Sequence, residues 1–475
     1  MLTQEQRFGI DASKTGQDLS INAGPGTGKT FFLNQTAKAH TGKPIVNLCF
    51  NSSTKKQADQ RMPAWVKNYT FHGLAFGQIG KYYRHKLNLP INTVQISKQF
   101  GCEHHVAMAA KYTLRRFATS DDPIIFGNHV PRAAVLSKDK CEQEVFKDEV
   151  VNIARRLWTA CMSKDKRFGI EHDFYLKQWE LEGARIPHHY DIVMVDEKQD
   201  MVPVNVSAVS KWRSTQKIIV GDKNQTLYQW RNSVNMEFGL NLYLTQSFRF
   251  GQDIANVANK VLDLLNEPEC HLKGLPSINS RIVYGEPEGK HTVLCRSNAG
   301  LLGEVLKAMS NGSSIHVVGS MAEALSLMES AWYLSIGEKR KVRHPTMQLI
   351  GNWESVIEMS AEDQDLRMAV KRVNEYGSVI PSMCEKLRDH GEVLKEHADI
   401  VISTVHKFKG LEDDVVKLSD DFQDLVRWNK KEKKYVTMKQ ELCVFFVAVT
   451  RAMKDLHANS MVQQLDIWKD LIDNQ

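Results

Sequence analysis

Apolar and polar positions follow two rhythms along this chain, and the change of rhythm marks where the architecture changes. Short apolar runs bounded by turn residues fall at 19–22, 45–50, 191–195 (DIVMV), 217–221 (KIIVG), 291–295 (HTVLC) and 398–404 (ADIVIST), each with the length of a buried strand. The first run enters a glycine-rich turn and then a helical stretch before the second begins, an α/β alternation. From about 86 to 185 the period lengthens to that of amphipathic helices, as in 144–161, and 320–395 reads the same way. The longest apolar run, LCVFFVAV at 442–449, predicts a last buried strand. The expected fold class is therefore α/β: a first core of 1–85 and 186–245 interrupted by a helical insertion at 86–185, and a second core of 246–319 and 396–475 interrupted by a smaller helical insertion at 320–395.

Composition narrows the picture a little. A chain of 475 residues that is 42% hydrophobic and 25% charged is built to bury a core, which excludes wholesale disorder. No apolar run approaches the ~18 residues of a membrane helix, and the first residues lack an apolar signal core, so an intracellular, soluble protein is expected, with no membrane partner. With 62 Lys and Arg against 56 Asp and Glu, the net charge of +6 permits a polyanionic partner without requiring one. Eight scattered cysteines form no CxxC pair and are expected as reduced core thiols. Cys102-Glu103-His104-His105 groups metal-ligand residue types but lacks a second pair at usable spacing. The basic cluster Lys339, Arg340, Lys341, Arg343 reads equally as a duplex contact or a solvated face, and Lys430, Lys431, Lys433, Lys434 as an exposed loop.

Three motifs carry chemistry. Ala23-Gly24-Pro25-Gly26-Thr27-Gly28-Lys29-Thr30 stands between a strand and a helix. Its backbone N–H groups can close around phosphate oxygens, Lys29 can reach the β/γ-phosphates, and Thr30 can hold Mg²⁺. In DIVMVDEKQD an apolar strand ends in Asp196 and Glu197, suited to holding Mg²⁺ and polarising a water. Such a pair alone is usually a solvated strand end; the phosphate loop upstream changes that balance. In GDKNQTLYQWR, Gln225 stands where a γ-phosphate sensor could act, and Tyr228, Trp230 and Arg231 offer stacking and charge for nucleotide bases.

With these in order, the chain resembles the UvrD/Rep/PcrA-type superfamily-one DNA helicases. Leu2-Thr3 followed by Gln6 resembles their adenine-reading glutamine motif. Cys49-Phe50-Asn51 and Thr70-Phe71-His72 resemble motifs that touch single-stranded DNA. Thr245 to Arg249 resembles the motif with an adenine-stacking aromatic, here Phe248, and an arginine on the γ-phosphate, here Arg249. Arg296-Ser297-Asn298, the stretch Ser403 to Glu412 with His406, and Val447 to Ala452 with Arg451 complete the set. FNSSTKKQADQRMP, TFHGLAFGQIG, HDFYLKQWEL and TVHKFKGLEDDVVKLSDDF are similar to the helicase portion of the F-box DNA helicase family. An F-box would precede the first motif, so no F-box partner is expected. Lys198, Phe248, Asp413 and Phe446 depart from the usual residues without removing a charged catalytic group.

The resemblance implies two RecA-like P-loop domains with ATP and Mg²⁺ in the cleft between them. It implies catalytic roles for Lys29, Thr30, Asp196, Glu197, Gln225, Arg249 and Arg451. The nucleotide contacts would be Gln6, Ala23 to Thr30, Phe248 and Glu412, with metal on Thr30 and Asp196. The single-stranded DNA contacts would be Phe50, Thr70, His72, Tyr228, Trp230, Arg231 and His406. The activity implied is ATP-driven DNA unwinding or translocation, three-prime to five-prime, in replication, recombination or repair. Its substrates would be single strands and single/double-strand junctions, with recombinase filaments or single-strand-binding protein as further partners. A protein-stripping translocase, a DNA-binding regulator with a dead motor and an unrelated P-loop kinase are the competing readings.

Overall fold

The structure is a computed structural model that describes all residues except 1, 136–139, 187, 214, 228–233, 320, 361–363, 390–392, 423–424 and 475. The chain divides into two compact units, one of residues 1–23 and 28–244, the other of 24–27 and 245–475.

The first unit is built on a six-stranded, all-parallel sheet of β1 (Leu19–Ala23), β2 (Ile45–Cys49), β3 (Val66–Thr70), β4 (Ile192–Val195), β5 (Gln216–Gly221) and β6 (Leu240–Leu244), in the order β3-β2-β4-β5-β1-β6. Helices cover both faces, so β1, β2 and β4 are buried at every position and read as unbroken apolar runs. Their side chains still alternate. Val46, Leu48, Val193, Val195 and Ile219 join one core, and Ile45, Ile192, Met194, Ile218 and Val220 join the other. The first of these cores also contains the helical segment between β3 and β4, where helices His104–Thr119, Lys140–Cys161 and His172–Leu181 pack Leu114, Phe117, Leu157 and Phe174 together.

The second unit repeats the plan. Its six-stranded sheet contains β7 (Arg281–Tyr284), β8 (His291–Cys295), β9 (Ile315–Val317), β10 (Ile400–Thr404), β11 (Asp413–Leu418) and, beyond a hairpin, β14 (Ala452–Ala458). The order is β7-β14-β11-β8-β10-β9, again all parallel. Among the described residues, five α-helices between 322 and 389 separate β9 from β10. Both units are RecA-like α/β sheets interrupted by helices.

Two expectations are corrected. The run 442–449 is helical, not a strand: helix Lys439–Val449 is buried at every position from Leu442 on and packs against helix Gln252–Leu264. A helix apolar on all sides and a buried strand share the same run of residues, so length alone could not separate them. The lysines at 430–434 are exposed, as expected, and 430–433 form a turn. They cap an antiparallel hairpin of β12 (Val426–Asn429) and β13 (Lys434–Thr437), where the rings of Trp428 and Tyr435 meet edge-on at 5.0 Å. Not every cysteine is a core thiol: Cys141 is exposed, and Cys102 and Cys270 are half-buried. Among the described residues, no helix is long and apolar enough to cross a membrane.

Candidate nucleotide and strand site

Because every strand of the first sheet runs the same way, five segments with candidate residues leave one edge of it. The phosphate loop follows β1, Phe50 follows β2, Thr70 ends β3, Asp196 follows β4 and Asp222 follows β5. Parallel α/β sheets bind ligands at this carboxyl edge, where helix N-termini and strand-end loops converge.

The loop is shaped by its backbone. Gly26 and Gly28 take φ of 74° and 82°, and Gly28 caps helix Lys29–Ala39. At Gly26 a Cβ would come within 2.6 Å of both Arg249 Cβ and Ser247 Oγ. The crest Gly24–Thr27 groups with the second unit, where Ser247 Oγ donates to Pro25 O at 3.0 Å and Phe248 N donates to Gly26 O at 2.9 Å. Lys29 Nζ donates to Ala23 O at 2.9 Å, and Thr27 Oγ1 to Gly24 O at 2.8 Å. Gln6 is buried and closes a reciprocal cap with Thr3 at the start of helix Gln4–Ser13; its Nε2 lies 3.3 Å from where a Cβ on Gly28 would stand.

The acidic residues form a connected chain. Thr30 Oγ1 lies 3.5 Å from Asp196 Oδ2. Glu197 has a left-handed backbone with φ 56°, and its N–H donates to Asp196 Oδ1 at 2.9 Å. Gln199 Nε2 donates to Glu197 Oε2 at 2.6 Å, while Gln199 Oε1 accepts from Asp222 N at 2.9 Å. Asp222 Oδ2 in turn accepts from Gln225 Nε2 at 2.9 Å. Burial and the neighbouring Glu197 push the Asp196 carboxyl up from 3.8 to about 7, and burial raises Asp222 as well; Lys29 pulls both back down. A hydroxyl and a carboxylate this close, beside a second carboxylate, form a hard-oxygen donor set that fits Mg²⁺. Gln199 and Asp222 were not singled out from sequence, although both lie inside quoted motifs.

In the second unit the expected residues sort to opposite edges of the sheet. Glu412 and Arg451 precede β11 and β14, at the amino edge. Arg249 pairs with Glu412 at 2.6 Å and donates from Nη1 to Thr450 O at 3.1 Å. Arg451, 2% exposed, donates to Val447 O and Leu411 O and accepts from Asp413 N through its own carbonyl. Phe248 is 43% exposed. At the carboxyl edge, Arg296 follows β8 and His406 follows β10. Arg296 makes a buried, two-pronged ion pair with Glu441 at 2.5 and 2.7 Å, and buried Asp421 accepts from Arg296 N, Ser297 N and Ser297 Oγ. Asp421 lies inside a quoted motif and Glu441 in none, and neither pairing is written locally because each is distant from its partner along the chain.

Of the expected strand contacts, Phe50 is half-buried against the core. Thr70 caps helix Phe71–Gln78 by accepting from Gly73 N at 2.9 Å. His72 Nε2 lies 2.8 Å from Asp173 Oδ1, with the rings of His172 and Tyr175 edge-on at 6.3 and 6.2 Å. Tyr228, Trp230 and Arg231 lie outside the described residues.

Comparison with known proteins finds two domain families and a set of relatives. Residues 6–231 match the family described as AAA domain, and residues 318–462 match the UvrD-like helicase C-terminal domain. F-box DNA helicase 1 of Gallus gallus is 29% identical over 501 residues, covering 97% of this chain and 49% of that protein. F-box DNA helicase protein 1 of Schizosaccharomyces pombe is 28% identical over 526 residues, covering 98% and 58%. The chain thus spans about half the length of these curated relatives. Among solved structures, the Arterivirus nonstructural protein 10 helicase aligns at 11% identity and a TM-score of 0.34, over 97% of this chain and 63% of that one, a likeness too slight to carry weight. Through its matched C-terminal domain and its relatives, the chain is similar to the UvrD-like helicases over nearly its whole length.

Proposed function

We propose that this chain is a DNA-stimulated ATPase that moves along single-stranded DNA, three-prime to five-prime, and separates duplex at single/double-strand junctions. The observation that supports it most is the shared edge: the phosphate loop, the Asp196–Glu197 pair and the strand-facing Phe50 and Thr70 all leave the carboxyl end of one parallel sheet. Nucleotide chemistry and a strand grip on one rigid edge can be coupled by small movements of the loops between them.

The proposed roles are those the helicase resemblance implies. The loop from Ala23 to Thr30 cradles the phosphates, and Gln6 and Phe248 flank the base. Glu197 orients the attacking water, with Gln199 fixing its carboxylate. Gln225 senses the γ-phosphate through Asp222. Mg²⁺ held by Thr30 and Asp196 would neutralise charge on the β- and γ-oxygens. Arg249, held by Glu412, stabilises charge on the transferring group, and Arg451 serves the same end from the turn it anchors at Leu411. Phe50, Thr70, His72, Tyr228, Trp230, Arg231 and His406 are the proposed strand contacts. The proposed domains are 1–85 with 186–245, 246–319 with 396–475, and helical insertions at 86–185 and 320–395. Recombinase filaments or single-strand-binding protein are the protein partners such a motor would meet, in replication, recombination or repair.

The test is the ATPase rate with and without single-stranded DNA, single-stranded RNA and duplex, at stated salt, beside unwinding of three-prime- and five-prime-tailed duplexes. Stimulation by single-stranded DNA with unwinding of the three-prime-tailed substrate is expected. An ATPase indifferent to every polynucleotide would sink the reading.

A further inference from the structure

The segment Gly80–Lys86, Gly-Lys-Tyr-Tyr-Arg-His-Lys, is a tight 3₁₀ turn directly after helix Phe71–Gln78. A 3₁₀ turn repeats every three residues, so positions 80, 83 and 86 share one side. That side faces inward. A Cβ on Gly80 would meet Phe76 at 2.7 Å and Tyr175 at 3.0 Å. Tyr83 Oη donates to Met162 O at 3.0 Å. Lys86, wholly buried, donates to Cys161 O at 2.7 Å, Ser163 O at 2.9 Å and Ala160 O at 3.3 Å, capping the carbonyl end of helix Lys140–Cys161.

The other four positions are Lys81, Tyr82, Arg84 and His85, all exposed. Every outward position is therefore cationic, titratable or aromatic. Tyr82 is 65% exposed, with Lys81 Nζ 5.1 Å from the centre of its ring. The inward anchors bring in a second basic segment, because Lys86 and Tyr83 grip the chain at 160–163 and exposed Lys164, Lys166 and Arg167 follow at once. Asp165, paired with Arg167, and Glu182, beside Tyr83, are the acids set against them.

The turn is also continuous with the proposed strand grip. Thr70 caps helix Phe71–Gln78, whose eight residues span about 12 Å before the turn begins. Tyr175, on which Gly80 packs, stands edge-on to His72. We infer that Lys81, Tyr82 and Arg84 form a second single-strand binding surface on the helical insertion, extending the strand path beyond Thr70 and His72, with Tyr82 stacking on an unpaired base and the two cations on flanking phosphates. A firmly anchored turn that presents an exposed ring beside two cations suits an unpaired base, whereas a duplex offers only its phosphates there. The inference rests on the proposed single-strand grip at the sheet edge.

The experiment uses the full chain and fluorescent oligo-dT of graded length, with anisotropy read over a salt series. Tyr82→Ala should weaken binding of long oligomers about tenfold, the scale of one stacked base, and leave the shortest bound oligomer unaffected. Tyr82→Phe, which keeps the ring, should behave like the parent. Lys81→Ala with Arg84→Ala should flatten the slope of log affinity against log salt by about 1.4, for two lost single-strand phosphate contacts. Parent-like binding by all variants overturns the inference, as does a loss confined to blunt duplex. A parent whose ATPase ignores DNA while Tyr82→Ala still loses affinity overturns the motor instead. A DNA-stimulated parent with unaltered variants overturns this surface alone.

Discussion

Gln199 ties the acidic chain together. Its amide nitrogen holds Glu197 and its carbonyl oxygen holds the backbone of Asp222, so one side chain joins the ends of two neighbouring strands. Gln199→Leu removes both bonds at nearly the same volume and should lower ATP turnover by about 10–100-fold with little change in KM, because it disturbs water positioning rather than substrate binding. Lys29→Ala should abolish turnover in a phosphate-release assay while oligonucleotide binding persists. The Asp196 carboxyl, raised to about 7, gives a pH signature. The folded chain holds that proton where the unfolded chain has lost it, so this group's stabilisation is complete below about pH 4 and is lost as pH rises to about 7. The slope is at most ~1.4 kcal/mol per pH unit. Metal-free protein should show that decline in melting temperature, Asp196→Asn should flatten it, and Mg²⁺ should oppose it.

Lys86 shows how one buried cation can fix the junction of three segments. It ends a 3₁₀ turn, caps the 22-residue helix Lys140–Cys161, and its own carbonyl accepts from Ile170 N. Lys86→Met keeps the apolar stem and strands the carbonyls of the helix end, a change expected to cost about 2–3 kcal/mol in thermal or denaturant unfolding. Helix Lys439–Val449 teaches the opposite lesson about legibility. Its unbroken apolar run read as a strand, yet a helix buried from Leu442 to Val449 carries the same run, and packing against helix Gln252–Leu264 and its other neighbours made the choice. The strands of both sheets were legible because each is a short apolar run closed by turn residues, and that pattern is local.

Taken together, the two units are one plan used twice, a parallel sheet opened by a helical insertion. If the chain is a motor of this kind, its ATPase should depend on DNA and salt together. Stimulation by single-stranded DNA should fall steeply between low and moderate salt as phosphate contacts are screened, while the DNA-free rate barely moves. Arg249→Ala should remove most of the stimulated rate, on the order of 10³-fold or more if it contacts the transferring phosphoryl. A variant that keeps full stimulation would remove Arg249 from the chemistry and leave it as the partner of Glu412.

From its residues alone the chain declared an α/β architecture, a phosphate loop and an ordered set of helicase motifs, because each is written in a short stretch whose backbone and side chains act locally. What the fold alone decided were pairings across long separations: His72 with Asp173, 101 residues away, and Arg296 with Glu441, 145 away. It likewise decided which side of the Gly80–Lys86 turn faces water. A charge or ring becomes a contact only when packing brings its partner within a few ångströms, and no local pattern records which distant residue that will be.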